Sequence, residues 1–257
     1  MAQGTRLDQR LVELGLAPSK SRAQGLILAG MVRVDGRPAR KAGQSVGTTS
    51  EVSVKGPEHP YVSRGGVKLA GALDHFGLKV AGLKCLDVGA STGGFSDCLL
   101  QNGAAAITTV DVGYGQLAWK LRGDPRLTLH ERVNARDLPP EIVPGPFDLI
   151  VADVAFISLT LVLPGLIHRL APAGRVLCLV KPQFEAGRAQ VGSGGVVRDE
   201  AVRQEAVDKV ATCMGSLGLK VLGQCPSPIQ RPAGNMEFFL LAQINPLPVS
   251  GGTEAGA

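Results

Sequence analysis

Residues 85–96 read CLDVGASTGGFS. A short β-prone run ends at Asp87 and Val88, and glycines at 89, 93 and 94 then let the backbone turn sharply and pass close to a ligand before a helix begins. The spacing is G-x-x-x-G-G. It is not the G-x-G-x-x-G of a dinucleotide site, and no G-K-[ST] follows to make a phosphate loop. The acid ahead of the turn suits a ligand carrying positive charge and would repel a pyrophosphate. Asp111 ends the next strand candidate, where an acid accepts hydrogen bonds from ribose hydroxyls. A strand-end acid beyond a glycine-rich turn favours a nucleoside ligand over a purely structural bend.

Working outward, strands are expected at 84–88, 106–111, 127–131, 148–153, 175–181, 220–224 and 237–244. Helices are expected at 94–102, 116–122, 159–170 and 199–217. This alternation predicts an α/β fold with a Rossmann-like, doubly wound, mostly parallel seven-stranded sheet, whose ligands sit beyond the carboxyl ends of the strands. Asp153, in VADVAF, and Lys181, in CLVKPQFE, end neighbouring strands of that sheet and so converge on one rim. Taken singly, the acid could be a helix cap and the lysine a surface cation. The apolar run 149–167 is long enough to suggest a membrane span, but Asp153 and Pro164 interrupt it. A buried strand followed by a core helix explains it better.

Ahead of this body, residues 5–54 form a small α+β unit. Leu7, Leu11, Val12 and Leu14 mark a helix stopped at Gly15, and Ser19 caps a second helix that ends at Gly30. MVRVDG and EVSV alternate around an Asp-Gly turn. KGPEHPY at 55–61 reads as a linker, giving domains at 1–60 and 61–246 with a flexible tail at 247–257.

The chain has 257 residues, 44% of them hydrophobic and 19% charged, so it is an ordinary soluble globule large enough for a sizeable core. Its net charge of +5 is uneven. Residues 1–60 hold nine Lys and Arg against five Asp and Glu, whereas residues 61–257 hold 18 against 17. A basic piece on a near-neutral body suggests a polyanion-binding module. Five cysteines without a CxxC pair or a His cluster give neither a zinc site nor a disulfide framework, so no metal is expected. A reducing cytoplasm fits, and MAQGTRLDQR lacks the apolar region of a signal peptide.

The stretches YVSRGGVKL, LDVGASTGGFSDCLL, VDVGYGQLAWKLR, ERVNARDL, ADVAFISL, VKPQFEAGRAQVGSGGVVRD and GNMEFFL together carry more than the glycine turn does alone. Residues 83–185 resemble the Rossmann-like S-adenosylmethionine-dependent methyltransferases of the FtsJ-like RNA 2′-O-ribose branch. The whole chain is similar to the TlyA, or haemolysin A, family of bacterial rRNA cytidine-2′-O-methyltransferases. Residues 5–54 resemble the small RNA-binding domain named for small-subunit ribosomal protein four.

The resemblance implies S-adenosylmethionine as cofactor and ribosomal RNA in ribosomal subunits as partner, with no membrane required and the oligomeric state open. The target it implies is a cytidine of large-subunit rRNA, in some members one of small-subunit rRNA as well. It also implies a Lys-Asp-Lys-Glu catalytic set at Lys68, Asp153, Lys181 and Glu237. Cofactor contacts would come from Asp87, Gly89, Ala90, Ser91, Thr92, Gly93, Gly94, Phe95, Asp111 and Asn134.

A ribose hydroxyl is a weak nucleophile, and methyl transfer from a sulfonium needs alignment and an activated oxygen. A lysine serves as base only as the free amine, which desolvation or a neighbouring cation favours. Lys181 is the expected base, with Lys68 as its partner or as a substrate ligand; Asp153 and Glu237 would orient the two amines and balance their charge. Arg6, Arg10, Lys20, Arg22, Arg33 and Arg37 would meet RNA phosphates, and Arg64 would guide the backbone into the cleft. The first 60 residues contain no Phe, Trp or Tyr, so base stacking is not expected there. Two rival readings are a membrane-lytic haemolysin and a non-catalytic RNA-binding assembly factor.

Overall fold

The computed structural model describes residues 4–55, 59–229 and 234–245. The chain divides into two units, residues 1–60 and 61–257. The expected tail at 247–257 lies outside the described residues, as does part of the expected linker.

The N-terminal unit runs β1 (Thr5–Arg6), α1 (Leu7–Glu13), α2 (Lys20–Leu28), β2 (Val32–Val34), β3 (Arg37–Pro38), β4 (Ser45–Val46) and β5 (Val52–Val54). The first helix starts two residues after Thr5 because Thr5 and Arg6 pair antiparallel with β4. Ser19 caps α2, its Oγ accepting from the Arg22 N–H at 3.2 Å. Asp35 and Gly36 both have positive φ, the conformation that the β2–β3 hairpin turn demands. Leu7, Leu11, Ile27, Val32 and Val46 close a small apolar core.

The second unit begins with α3 (Arg64–His75), β6 (Lys84–Val88), α4 (Gly94–Gln101), β7 (Ala106–Asp111), α5 (Trp119–Arg122), β8 (Leu127–Glu131) and β9 (Phe147–Ala152). It continues with α6 (Leu159–Ile167), β10 (Leu170–Val180), α7 (Pro182–Glu185), α8 (Glu200–Ser216), β11 (Leu219–Pro226) and β12 (Phe238–Ile244). The seven strands lie in the order β11-β12-β10-β9-β6-β7-β8. The chain leaves β6 toward β8 and returns to β9 on the other side, so the sheet switches direction between β6 and β9. Ligands of such sheets bind above that switch.

Strand β12 runs antiparallel to both neighbours, whereas the other six strands run one way. The β11–β12 connection, residues 227–237, is at the lower limit of what a parallel crossover requires, and the chain doubles back into an antiparallel pair instead. The apolar run 149–167 divides into β9, the loop after it and α6. The helix expected at 159–170 ends at Ile167: His168 and Arg169 turn, and Leu170 begins β10 by pairing with Phe147. The helix expected at 116–122 shortens to four residues: Gly115 has positive φ, Ala118 is extended, and Leu117 turns inward. Helix α3 was not among the expected elements.

Two apolar layers sandwich the sheet, one including α3 and α4, the other α6 and α8. Cysteines 85, 98, 178 and 225 are buried in these layers, and burial pushes the thiols of Cys85 and Cys98 up to about 12. Among the described residues no helix is long and apolar enough to cross a membrane.

Candidate active site

Close packing of backbone shapes the floor of the site. Gly89 has φ +86°, and a Cβ there would lie 2.6 Å from the Asp153 carbonyl oxygen, so β6 and β9 approach at their ends as only glycine allows. Gly93 has φ +92°, and its missing Cβ makes room for Leu117 and Leu121. At Gly94 a Cβ would meet Ser63 and the backbone of Gly65 and Gly66, which brings the N-terminal ends of α3 and α4 together. Of the paired glycines ahead of Lys68, Gly66 is required by the Tyr61 ring, with which a Cβ would collide.

Asp87 is fully buried. Its Oδ2 accepts from the Ser96 hydroxyl at 2.6 Å, while its Oδ1 has no partner. Burial pushes this carboxyl up to about 7, with the Ser96 hydrogen bond acting in the opposite direction and Asp153 and Asp111 adding to the rise. Asp111 Oδ2 accepts from the Ser91 N–H at 2.7 Å and its Oδ1 from the Gly113 N–H at 2.6 Å. Each oxygen keeps a second lone pair for a ligand hydroxyl.

A cavity of about 310 Å³ opens above Gly89, bordered by Asp111, Gln116, Val133, Asn134 and Ile157. The Asn134 Oδ1 accepts from the Arg136 N–H at 3.0 Å, which caps a short turn and fixes the side chain at that border. Two acids, Asp111 and Asp153, line this cavity and a third, Asp87, lies fully buried nearby with an unsatisfied oxygen, an arrangement that fits a nucleoside bearing positive charge.

A larger cleft, of about 1270 Å³, shares Gly89, Ser91, Asp153 and Phe156 with this cavity. Lys68, Asp153, Lys181 and Glu237 all line it, as do Ala90, Thr92, Gly94, Phe95 and Arg64. Gly93 and Asp87 lie beneath rather than on its wall. Lys181 Nζ is 2.5 Å from Asp153 Oδ1, and Lys68 Nζ forms an ion pair with Glu237 Oε2. Each amine is matched to a carboxylate, so the excess positive charge expected of two lysines side by side is balanced pair by pair.

Several residues around the cleft were not anticipated. Phe156 has φ +64°, is 92% exposed and packs against Phe184 at 5.2 Å. Asn235 holds the 192–197 loop, donating from Nδ2 to the Gly195 carbonyl at 2.8 Å and accepting the Val197 N–H at 2.8 Å. Buried Glu185 accepts the Leu159 N–H at 2.7 Å and the Ser158 hydroxyl, joining the loop after Asp153 to the loop after Lys181. The Phe156 position, three residues past a strand-end acid, is the one signal that could have been read locally.

In the N-terminal unit, Lys20, Arg22, Arg33 and Arg37 are exposed. Arg33 also reaches the Gly36 carbonyl at 3.0 Å. Arg6 and Arg10 are engaged within the unit. Arg6 forks onto Asp8 at 3.1 and 2.8 Å, and its hydrogen bonds hold that carboxyl well below the usual range. Arg10 reaches Glu13 and the Thr48 carbonyl.

A doubly wound sheet, a glycine-floored nucleoside cavity above its switch point and an adjoining cleft with two amine–carboxylate pairs define an S-adenosylmethionine-dependent methyltransferase. Residues 61–244 match the FtsJ-like methyltransferase family and residues 5–52 the S4 domain. The chain belongs to the FtsJ-like methyltransferases and, within them, to the TlyA family. It is 50% identical to the 16S/23S rRNA (cytidine-2′-O)-methyltransferase TlyA of Mycobacterium tuberculosis, over 93% of this chain and 90% of that one. It is 39% identical to the hemolysin A of Brachyspira hyodysenteriae, over 91% and 98%. A solved chain from Streptococcus thermophilus that carries a hemolysin label superposes with a TM-score of 0.73 at 39% identity, covering 96% of this chain and 91% of that one. The reading as a non-catalytic assembly factor falls with this membership.

Proposed function

We propose that this enzyme methylates the ribose 2′-hydroxyl of a cytidine in ribosomal RNA, of the large subunit and also of the small. The observation that carries the reading is the pair of ion pairs, Lys181–Asp153 and Lys68–Glu237, on the walls of one cleft that opens into the nucleoside cavity. The M. tuberculosis relative, named for both rRNAs, supports the substrate.

S-adenosylmethionine, when bound, supplies an electrophilic methyl group on a sulfonium. Asp87 and the 89–95 loop would hold its charged end, Asp111 its ribose, and Asn134 with Val133 and Ile157 the border around its adenine. The chain's remaining task is to align a hydroxyl and take its proton. Lys181, paired with Asp153, first gives up its own proton to solvent; as the free amine, oriented by Asp153, it then takes the hydroxyl proton at Nζ. Lys68, steadied by Glu237, holds the ribose or its phosphate. Phe156 offers an aromatic face to the target base, and Arg64 meets the phosphate backbone at the mouth. The exposed cations of the S4 domain bind folded RNA by shape and phosphate spacing, and the enzyme acts in the cytoplasm on ribosomal subunits.

The test is transfer of labelled methyl from S-adenosylmethionine to each purified ribosomal subunit, followed by mass spectrometry of the rRNA fragments. Label in a cytidine ribose supports the reading; label on a base or on ribosomal protein overturns it. Leakage of liposomes without cofactor would favour the membrane-lytic alternative instead.

A further inference from the structure

Among the described residues of the second unit, only Val112, Tyr114, Trp119 and Phe156 are large, apolar and more than two-thirds exposed. All four follow the carboxyl ends of β7 and β9, the end of the sheet where the cavities open, and Val112 and Phe156 line the smaller cavity. Phe156 belongs to the cleft already described. The 112–119 segment touches the nucleoside cavity through Val112 and Gln116, but Tyr114 and Trp119 line neither cavity, and Trp119, the sequence's one tryptophan, is 87% exposed.

This segment is firmly held. Leu117 and Leu121 are buried against Gly93, and the Ala118 N–H donates to the carbonyl of cleft-lining Thr92 at 3.1 Å. With its neighbours fixed inward, Trp119 is presented outward. Tyr114, 68% exposed, carries the Arg132 guanidinium 4.3 Å above its ring. Glu131 Oε1 accepts from the Gly115 N–H at 2.8 Å and from Arg122 at 2.9 Å, which ties the Tyr114 loop to the helix of Trp119. Half-exposed Lys120 is paired with nearly buried Asp97 at 3.0 Å, so Arg132 supplies the cation beside the rings. Planar rings beside a cation match a polyanion bearing planar bases better than they match an apolar protein surface.

We propose that Trp119 and the Tyr114–Arg132 pair form a stacking platform for unpaired bases of the RNA that flank the nucleotide in the cleft. The proposal rests on the RNA-methylating reading above. Stacking on an aromatic face tolerates any base, so the platform adds affinity and register without dictating sequence.

Because Trp119 is the only tryptophan, its fluorescence reports this surface directly. Full-length enzyme is titrated with oligocytidylate and, at matched charge, with inorganic polyphosphate. The expected result is strong quenching by oligocytidylate and little by polyphosphate. Trp119→Ala is expected to weaken binding of protein-free rRNA about tenfold, Trp119→Phe much less, with S-adenosylmethionine affinity by calorimetry unchanged in both. Equal quenching by both polyanions, or wild-type rRNA affinity for Trp119→Ala, overturns the platform. Loss of binding to intact subunits but not to protein-free rRNA also overturns it and assigns Trp119 to a protein contact. If the wild-type enzyme methylates no RNA, it is the underlying reading that fails.

Discussion

Lys181 and Asp153 stand at the ends of adjacent parallel strands, with Nζ and Oδ1 2.5 Å apart on the wall of the cleft. Their backbones are fixed by the β9–β10 ladder, so the geometry of the pair is inherited from the sheet. Replacing Lys181 with Ala should remove the proton acceptor while leaving the glycine loop and Asp111 untouched. Methyl transfer to ribosomal subunits is expected to fall by about 10²- to 10⁴-fold, with S-adenosylmethionine affinity nearly intact. Full turnover by this variant would remove Lys181 from the role of base.

The buried carboxyl of Asp87 ties stability to cofactor binding. An unfolded Asp ionises near pH 4, whereas Asp87 in the fold is pushed up to about 7. Between those values the folded protein keeps a proton that the unfolded chain has released, so stability falls as pH rises through this window and levels off above it. Asp87→Asn should therefore raise the melting temperature at pH 8, by a free energy of about 2–4 kcal/mol. A cationic ligand prefers the ionised carboxylate, so wild-type affinity for S-adenosylmethionine should climb as pH passes about 7. The variant should bind at least tenfold more weakly and lose that climb. Calorimetry and thermal melts across pH read both effects, and an unchanged pH dependence in the variant would refute the link.

Gly89 and Gly93 make the floor of the site sensitive to a single methyl group. Gly89→Ala would drive Cβ into the Asp153 carbonyl from a left-handed backbone. Neither neighbour is a flexible side chain that can swing aside. A loss of about 1–3 kcal/mol in stability, and of cofactor binding with it, is expected from denaturant unfolding and calorimetry. Gly15 has positive φ but nothing within 4 Å of its would-be Cβ, so Gly15→Ala should cost only the backbone strain.

How much of this was legible depended on whether a residue's meaning is local. The turn at 85–96, the strand-end acids and the Asp-Gly hairpin each write their conformation in a few neighbouring residues, and the structure has them where the sequence suggested. Lys68 and Glu237 entered only through resemblance. The glycines at 65 and 66 disguise α3 as a loop; Gly66 is there because the Tyr61 ring presses against that helix. Glu185 and Asn235 were invisible for a related reason. Their partners, at 158–159 and 195–197, are distant in sequence, and nothing around either residue announces a strut. Strand–helix alternation does not reveal the reversed direction of β12.

In the N-terminal unit, exposed and engaged cations should behave differently. Arg22 and Arg37 are free to meet phosphates, so replacing either with Ala should lower the dependence of log affinity on log salt by roughly one unit. Arg6→Ala leaves Asp8, a buried carboxylate, without its fork, and should show mainly as lost stability. Removing residues 1–60 should abolish tight RNA binding while leaving the cofactor site. Filter binding across a salt series separates these cases, and methylation by the truncated chain at the full rate would contradict the assignment.

Glu185 connects the two halves of the catalytic wall. Its carboxylate takes the Leu159 N–H and the Ser158 hydroxyl from the loop after Asp153, and it sits four residues beyond Lys181. Lys209 secures the same turn by donating to the Glu185 carbonyl at 2.8 Å. Burial raises this carboxyl, and the hydrogen bonds from Ser158 and Leu159 work against the rise. Glu185→Ala would strand the buried Leu159 N–H, at about 1–3 kcal/mol, whereas the part-buried Ser158 hydroxyl keeps Thr160 Oγ1 as a partner at 2.7 Å. Beyond that loss, the Asp153 and Lys181 loops would be held together only more loosely, by contacts such as the Lys181–Asp153 pair itself and Phe156 against Phe184. At temperatures where the variant stays folded, kcat is expected to drop about tenfold or more while KM for S-adenosylmethionine holds, with Glu185→Gln intermediate because its amide oxygen can still accept the Leu159 N–H. A variant that loses stability but keeps kcat would reduce Glu185 to a helix cap and leave the alignment of Asp153 with Lys181 to the strands alone.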